Sequence, residues 1–151
     1  MNDAGIPTGT TKPKDAVHRD GDWHLAAHLW IVRSDGHVLL QRRSPSKASW
    51  PGMWDISVAG HVSAGESAIE AVLREAFEEL GLTVAREELR YLGSLRYRAV
   101  VNDGTYIENE YHEVYLTVRD IDPASLRLDP LEVAEVRFVP PEELERYDLV
   151  P

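Results

Sequence analysis

Gly60-His-Val-Ser-Ala-Gly-Glu66-Ser-Ala-Ile-Glu-Ala-Val-Leu-Arg74-Glu75-Ala-Phe-Glu78-Glu79-Leu-Gly81-Leu82 is the stretch that decides how this chain is read. From Glu66 to Leu80, the residues Ile69, Val72, Leu73, Ala76, Phe77 and Leu80 follow the i, i+3, i+4, i+7 rhythm of a helix with one buried stripe. Gly81 follows where a helix C-terminus favours a residue that tolerates positive φ. At about 100° per residue, Glu75, Glu78 and Glu79 share one arc, largely away from the stripe. Three carboxylates so close repel one another unless cations sit among them. Oxygen-only donors suit Mg²⁺, with Mn²⁺ as the alternative, and Mg²⁺ usually keeps several waters and bridges to substrate phosphates. Arg74 is placed to brace Glu78 at i, i+4. A charge-rich helix face is most often plain solvated surface, so the assignment depends on the spacing around it.

Outward from the helix the chain reads as strands. His24 to Val32 is apolar, Arg33-Ser34-Asp35-Gly36 is a turn, and Val38-Leu39-Leu40 is the returning strand. Ser44 to Gly52 is a loop, and Trp54 to His61 is a further strand with Ser57, Ala59 and His61 on one face. Leu89–Val101 and Tyr106–Val118 flank Asn102-Asp103-Gly104, a hairpin signal; alternation puts Glu108, Glu110 and His112 on one face and Glu113 on the other. Val133–Val139 is a last strand, and Pro140-Pro141-Glu142-Glu143-Leu144 opens a short helix. Residues 1–21, with two prolines and three glycines, read as an arm or loop with little core of its own, before a single domain over 22–151. The fold class is α+β.

Composition narrows the chemistry. With 26 Asp+Glu against 16 Lys+Arg, a formal charge of -10, the chain has no general grip on nucleic-acid backbone. Phosphorylated small molecules stay open, because bound cations can reverse the local field. No cysteine is present, which removes disulfides, thiolate nucleophiles and cysteine zinc sites. Neither a signal peptide nor a membrane-spanning run is legible, so the expected compartment is the cytoplasm and no membrane partner is expected. The assembly is left open, a homodimer included.

Gly60, five residues, Glu66, seven residues, then Arg74-Glu75-Ala76-Phe77-Glu78-Glu79-Leu80-Gly81-Leu82 resembles the Nudix box, G-x5-E-x7-R-E-U-x-E-E-x-G-U with U aliphatic. Ala76 is smaller than the usual aliphatic residue. The resemblance implies an α/β/α sandwich with the box helix packed on a mixed sheet. It also implies Mg²⁺-dependent hydrolysis of an organic diphosphate, with Glu75, Glu78 and Glu79 holding metal, helped by the carbonyl of Gly60. Glu66 is expected to orient the loop, and Glu75 or Glu79 to act as base.

A second resemblance narrows the branch. Gly5 to Thr10, Trp23-His24-Leu25-Ala26, Ser46 to Trp54, Ser57-Val58-Ala59-Gly60-His61, Leu95-Arg96-Tyr97-Arg98-Ala99 and Glu108-Asn109-Glu110 are similar to type 1 isopentenyl-diphosphate isomerases, which have the Nudix fold. It implies a second metal or substrate site at His24, His61, Glu108 and Glu110. Diphosphate contacts then fall on Arg43 and Lys47 and an active-site tyrosine on Tyr97, while Trp50 and Trp54 suit a substrate-pocket wall as well as they suit loop packing. Three departures stand against isomerisation. Ala59 occupies the place of the isomerase's cysteine, the first histidine ligand falls on Val17 with His18 one residue out of place, and the C-terminal tryptophan segment has no counterpart up to Pro151. The box, often eroded in isomerases, is complete. The expected activity is therefore pyrophosphohydrolysis of isopentenyl or dimethylallyl diphosphate, or of a nucleoside diphosphate derivative. A residual isomerase and a non-catalytic metabolite-binding module are the alternatives.

Overall fold

In the computed structural model, which describes residues 1–151, the elements are α1 (Lys14–Asp20), β1 (His24–Val32), β2 (Val38–Arg43), β3 (Trp54–Asp55), β4 (Val58–His61), α2 (Ala68–Leu80), β5 (Arg90–Val101), β6 (Tyr106–Val118) and β7 (Val133–Val139), with a helical turn at Pro141–Arg146. The seven strands form one mixed sheet. β1 runs parallel to β6 along its whole length, from His24 opposite Glu110 to Val32 opposite Val118. β5 pairs antiparallel with β6 across the expected hairpin, where Asn102 and Asp103 both take positive φ. On its other side β1 carries β4, with Ala26 opposite His61 and His28 opposite Ala59.

Alternation along β1 divides the molecule. Ala27, Leu29 and Ile31 pack with Ala71, Val72, Ala76 and Leu80 of α2 in the main core. Residues of the opposite face, His24, Ala26, His28 and Trp30, are only partly covered, apart from buried Ala26, and the last three line a cavity. A smaller core of Val38, Leu40 and Val139 sits under Trp54, Leu144, Tyr147 and Leu149. Helix α2, the sheet, and an outer layer made by α1 and the C-terminal turn thus form the three layers of an α+β sandwich.

Several boundaries differ from the sequence reading. Helix α2 starts at Ala68, because Ser67 and Glu70 form a reciprocal capping box that leaves Glu66 in the preceding loop. Phe77 is not in the stripe: it is 52% exposed, while the small Ala68 and Ala71 are buried and let the helix approach the sheet. The strand expected over Trp54–His61 breaks at Ile56-Ser57. Buried Ser57 accepts from the Ile31 N–H (2.8 Å) and donates to the Leu39 carbonyl (2.6 Å), bridging β1 and β2 where they diverge. β2 accordingly meets β1 only at Val38–Val32 and pairs along its length with β7. Within residues 1–21, expected as an arm or loop, α1 is a helix that closes on Gly21 in the left-handed conformation and buries His18. No helix is long and apolar enough to cross a membrane.

Candidate functional site

The box helix meets β4 at Gly60. A Cβ there would lie 2.3 Å from the carboxyl carbon of Glu75, so only glycine lets that side chain rest against the strand. Arg74 uses all of its donors to tie the acidic residues to one another and to β4. Its Nε and Nη2 grip Glu66 (2.9 and 3.0 Å), Nη1 reaches Glu75 (2.8 Å) and Glu78 (3.0 Å), and Nη2 also donates to the His61 carbonyl (3.1 Å). Arg74 thereby holds Glu66 below the usual carboxylate range, and Glu66 in turn accepts from the Ser63 N–H at 2.9 Å, fixing the loop. Glu78 is the most open of the three, at 55% side-chain exposure. Glu79 departs from the expected solvent-facing arc: it is buried, with Gln41 Nε2 donating to it at 3.2 Å. Burial, and then the Glu75 charge, push it up to about 8. Burial also raises Glu75, against the pull of Arg74. Two crowded, desolvated carboxylates are the electrostatic signature of a place that a cation would stabilise.

A second cluster assembles from four separate elements. His18 of α1, His24 of β1, His61 of β4 and Glu110 of β6 bring one donor atom each within 4.8 Å of one another. The Nδ1 of His18 faces the Ile107 carbonyl (3.1 Å) and that of His24 the Asp22 carbonyl (3.0 Å). Donation to those carbonyls assigns the proton to Nδ1 and leaves the Nε2 lone pairs turned inward. Nε2 of His18 lies 3.2 Å from Nε2 of His61, and the buried Nε2 of His24 lies 3.2 Å from Glu110 Oε1 without making a hydrogen bond to it. Burial lowers His18, and lowers His61 to about 4, so both imidazoles are neutral. Burial alone would raise Glu110, but the hydrogen bond to His112 (2.7 Å) and the close approach of His24 and His61 (3.2 and 3.3 Å) hold it well below the carboxylate range. Converging neutral nitrogens, an orphaned buried Nε2 and an ionised carboxylate fit a divalent cation.

His18 corrects the register expected from sequence. Its neighbour Val17 uses its carbonyl to accept the capping N–H of Gly21, and the helical turn from Pro13 puts His18 inside. Glu108, expected with the ligands, is outside the cluster; Trp50 Nε1 donates to it at 3.1 Å. Both clusters border one cavity of about 1050 Å³, which His61 and Glu110 reach from the histidine cluster and Gly60, Arg74, Glu75 and Glu79 from the box side. Arg43, Lys47, Trp50 and Tyr97 line it, as expected. Arg43 is tied to Asp55 (2.9 Å) and to the Ser49 carbonyl (3.0 Å), and Lys47 is paired with Glu132. Trp54 does not reach the cavity. It packs edge-on against Tyr147 in the smaller core, because β3 turns that face outward from β2. Sequence reasoning missed Lys14 at the cavity wall, and gave no site role to His28 or His112, which line it.

The NUDIX domain model matches residues 22–151. The chain belongs to the Nudix family. This Nudix chain is 41% identical over 150 residues to Nudix hydrolase 3 of Arabidopsis thaliana, covering 97% of the chain but only 19% of that protein's length. It is 40% identical over 143 residues to the isopentenyl-diphosphate Delta-isomerase of Paenarthrobacter aurescens, covering 93% of the chain and 74% of the isomerase. The crystal structure of DR0079 from Deinococcus radiodurans superposes with a TM-score of 0.70 at 26% identity, over 95% of this chain and 83% of that one. The Nudix domain of Shewanella oneidensis NrtR, solved with ADP ribose, superposes with a TM-score of 0.66 over 97% and 86% of the two chains; at 16% identity it shows the shared fold alone. The MutT Nudix hydrolase of Burkholderia pseudomallei superposes with a TM-score of 0.61 at 25% identity, over 78% of this chain and 82% of that one.

Proposed function

We propose that this Nudix domain hydrolyses the diphosphate linkage of a small organic diphosphate with the help of divalent cations held at two places on one cavity. The observation that carries the reading is the convergence of the Glu75–Gly60 contact and the histidine cluster on that cavity, walled by Lys14, Arg43 and Lys47. Glu75, Glu78 and Glu79 would hold Mg²⁺ or Mn²⁺, and the nitrogen-rich His18, His24, His61 and Glu110 set suits Mn²⁺ better than Mg²⁺. Bound there, such cations neutralise diphosphate charge and acidify water.

The chain's own residues do the rest. Arg74 spends no donor on substrate; it fixes the rotamers of Glu66, Glu75 and Glu78. Lys14, Arg43 and Lys47 attract the diphosphate, with Arg43 also shaping the loop through Asp55 and Ser49. Water attacks phosphorus, Glu75 or Glu79 takes its proton, the bridging P–O bond breaks, and the leaving oxygen departs on a monophosphate. Isomerisation is the weaker reading despite the isomerase relative: Ala59 lines the cavity where a thiol would be needed, and the chain has no cysteine.

Phosphorus NMR tests this with isopentenyl diphosphate and a panel of nucleoside diphosphate derivatives, in Mg²⁺ or Mn²⁺ and then in excess chelator. Monophosphate products that appear with metal and stop with chelator are expected. Unchanged spectra across the panel in either metal would overturn the reading.

A further inference from the structure

Three rings cross the cavity floor on adjacent strands. Tyr97 of β5 lies 5.3 Å from His112 of β6, and His112 lies 3.9 Å from His28 of β1, at interplanar angles of 32° and 35°. All three rings line the cavity. His112 is fixed, its Nε2 within 2.7 Å of Glu110. The hydroxyl of Tyr97 is buried with no hydrogen-bond partner. The backbone carbonyls that fix His18 and His24 have no counterpart at His28. Burial, and then the nearby His112, lower His28 to about 3, so it presents one neutral donor and one acceptor. Its cross-strand neighbour is Ala59, a small side chain that lines the same cavity. Ala26, Leu95 and Val114 complete an apolar wall, the usual setting for a few polar groups that choose the ligand.

Building on the hydrolase reading above, we propose that His28 and Tyr97 are specificity-determining residues, selecting a diphosphate whose organic moiety carries hydrogen-bonding atoms over one with a bare hydrocarbon chain. A hydrocarbon seated on this floor cuts both His28 nitrogens off from water and leaves the Tyr97 hydroxyl as unpartnered as before. A sugar or heteroaromatic ring satisfies them, and its faces stack on the tilted rings. Sites built to hydrogen-bond a substrate reject analogues lacking the polar group far more strongly than apolar pockets sort hydrocarbons.

The test compares kcat/KM for isopentenyl diphosphate with that for ADP-ribose, UDP-glucose and CDP-choline, in the wild type, Tyr97→Phe and His28→Leu. The best of the three polar substrates should exceed isopentenyl diphosphate by about 100-fold or more. Each substitution should narrow that ratio by about 10-fold, chiefly through KM. A preference for isopentenyl diphosphate, or parallel losses on both substrate types, would overturn the assignment. A second arm stands without turnover: AMP and isopentenyl monophosphate are titrated while the His28 imidazole is followed by NMR. Tighter AMP binding with a shifted His28 signal supports the inference even where hydrolysis fails, and equal or tighter binding of the isopentenyl compound contradicts it.

Discussion

The box helix and the histidine cluster face the same cavity but are built in opposite ways. The former draws Glu66, Arg74, Glu75, Glu78 and Glu79 from 14 consecutive positions, held together by one guanidinium. Glu79 is the exception to that bracing: it is buried and bonded to Gln41. The latter gathers His18, His24, His61 and Glu110 from a helix and three strands, spread over more than half of the chain. A local motif survives as a sequence pattern because helical periodicity alone fixes its geometry. A nonlocal cluster depends on strand register, on the cap of α1 and on the path of a loop, and each can shift a ligand by one residue without losing the site.

The largest effect is expected at the helix. Glu78→Gln removes a carboxylate from an exposed position, so thermal unfolding should be unchanged while metal-dependent turnover falls by more than about 100-fold. Wild-type turnover in this variant would dissolve the distinction, leaving the helix as an ordinary charged face. Gly60→Ala comes next. Its Cβ must displace the Glu75 carboxyl, which would sit 2.3 Å away, and kcat should fall by about 100-fold. Circular dichroism and steady-state kinetics separate that loss from unfolding, and a fully active variant would show that Glu75 is not held by this contact.

That same contrast explains what was legible. The helix, its Gly81 cap, the hairpin at Asn102-Asp103 and the final strand follow from local periodicity and turn chemistry, and appear where the pattern places them. Phe77 satisfies the period yet is exposed, because the sheet accepts the small Ala71–Ala76 surface and not a broad stripe. Glu79 lies within the acidic arc but is buried, since β2 brings Gln41 against it, a tertiary fact invisible in a helical wheel. His18 looks misplaced by one residue only if residues 1–21 are treated as an arm; a helix there supplies the missing turn. Trp54, named with Trp50 as a pocket wall, packs on Tyr147 in the smaller core instead, where the two-residue strand β3 holds it on β2.

Smaller effects sharpen the comparison. His61→Ala removes one of the converging nitrogens, and Mn²⁺ affinity measured by calorimetry should fall by about 10- to 100-fold. Equal affinity would mean that the imidazoles are held by their mutual packing and not poised for a cation. Lys47→Ala should raise KM by about 10-fold with little change in kcat, since its partner Glu132 is a surface carboxylate that tolerates the loss. A changed kcat at constant KM would move Lys47 from binding the diphosphate to the chemical step.

The two-site account is tested most directly by counting bound Mn²⁺ by electron paramagnetic resonance in the wild type, Glu75→Gln and His61→Ala. Two classes of bound ion are predicted, with Glu75→Gln weakening one and His61→Ala weakening the other. A single class, lost equally in both variants, would contradict it and merge the helix and the histidine cluster into one centre.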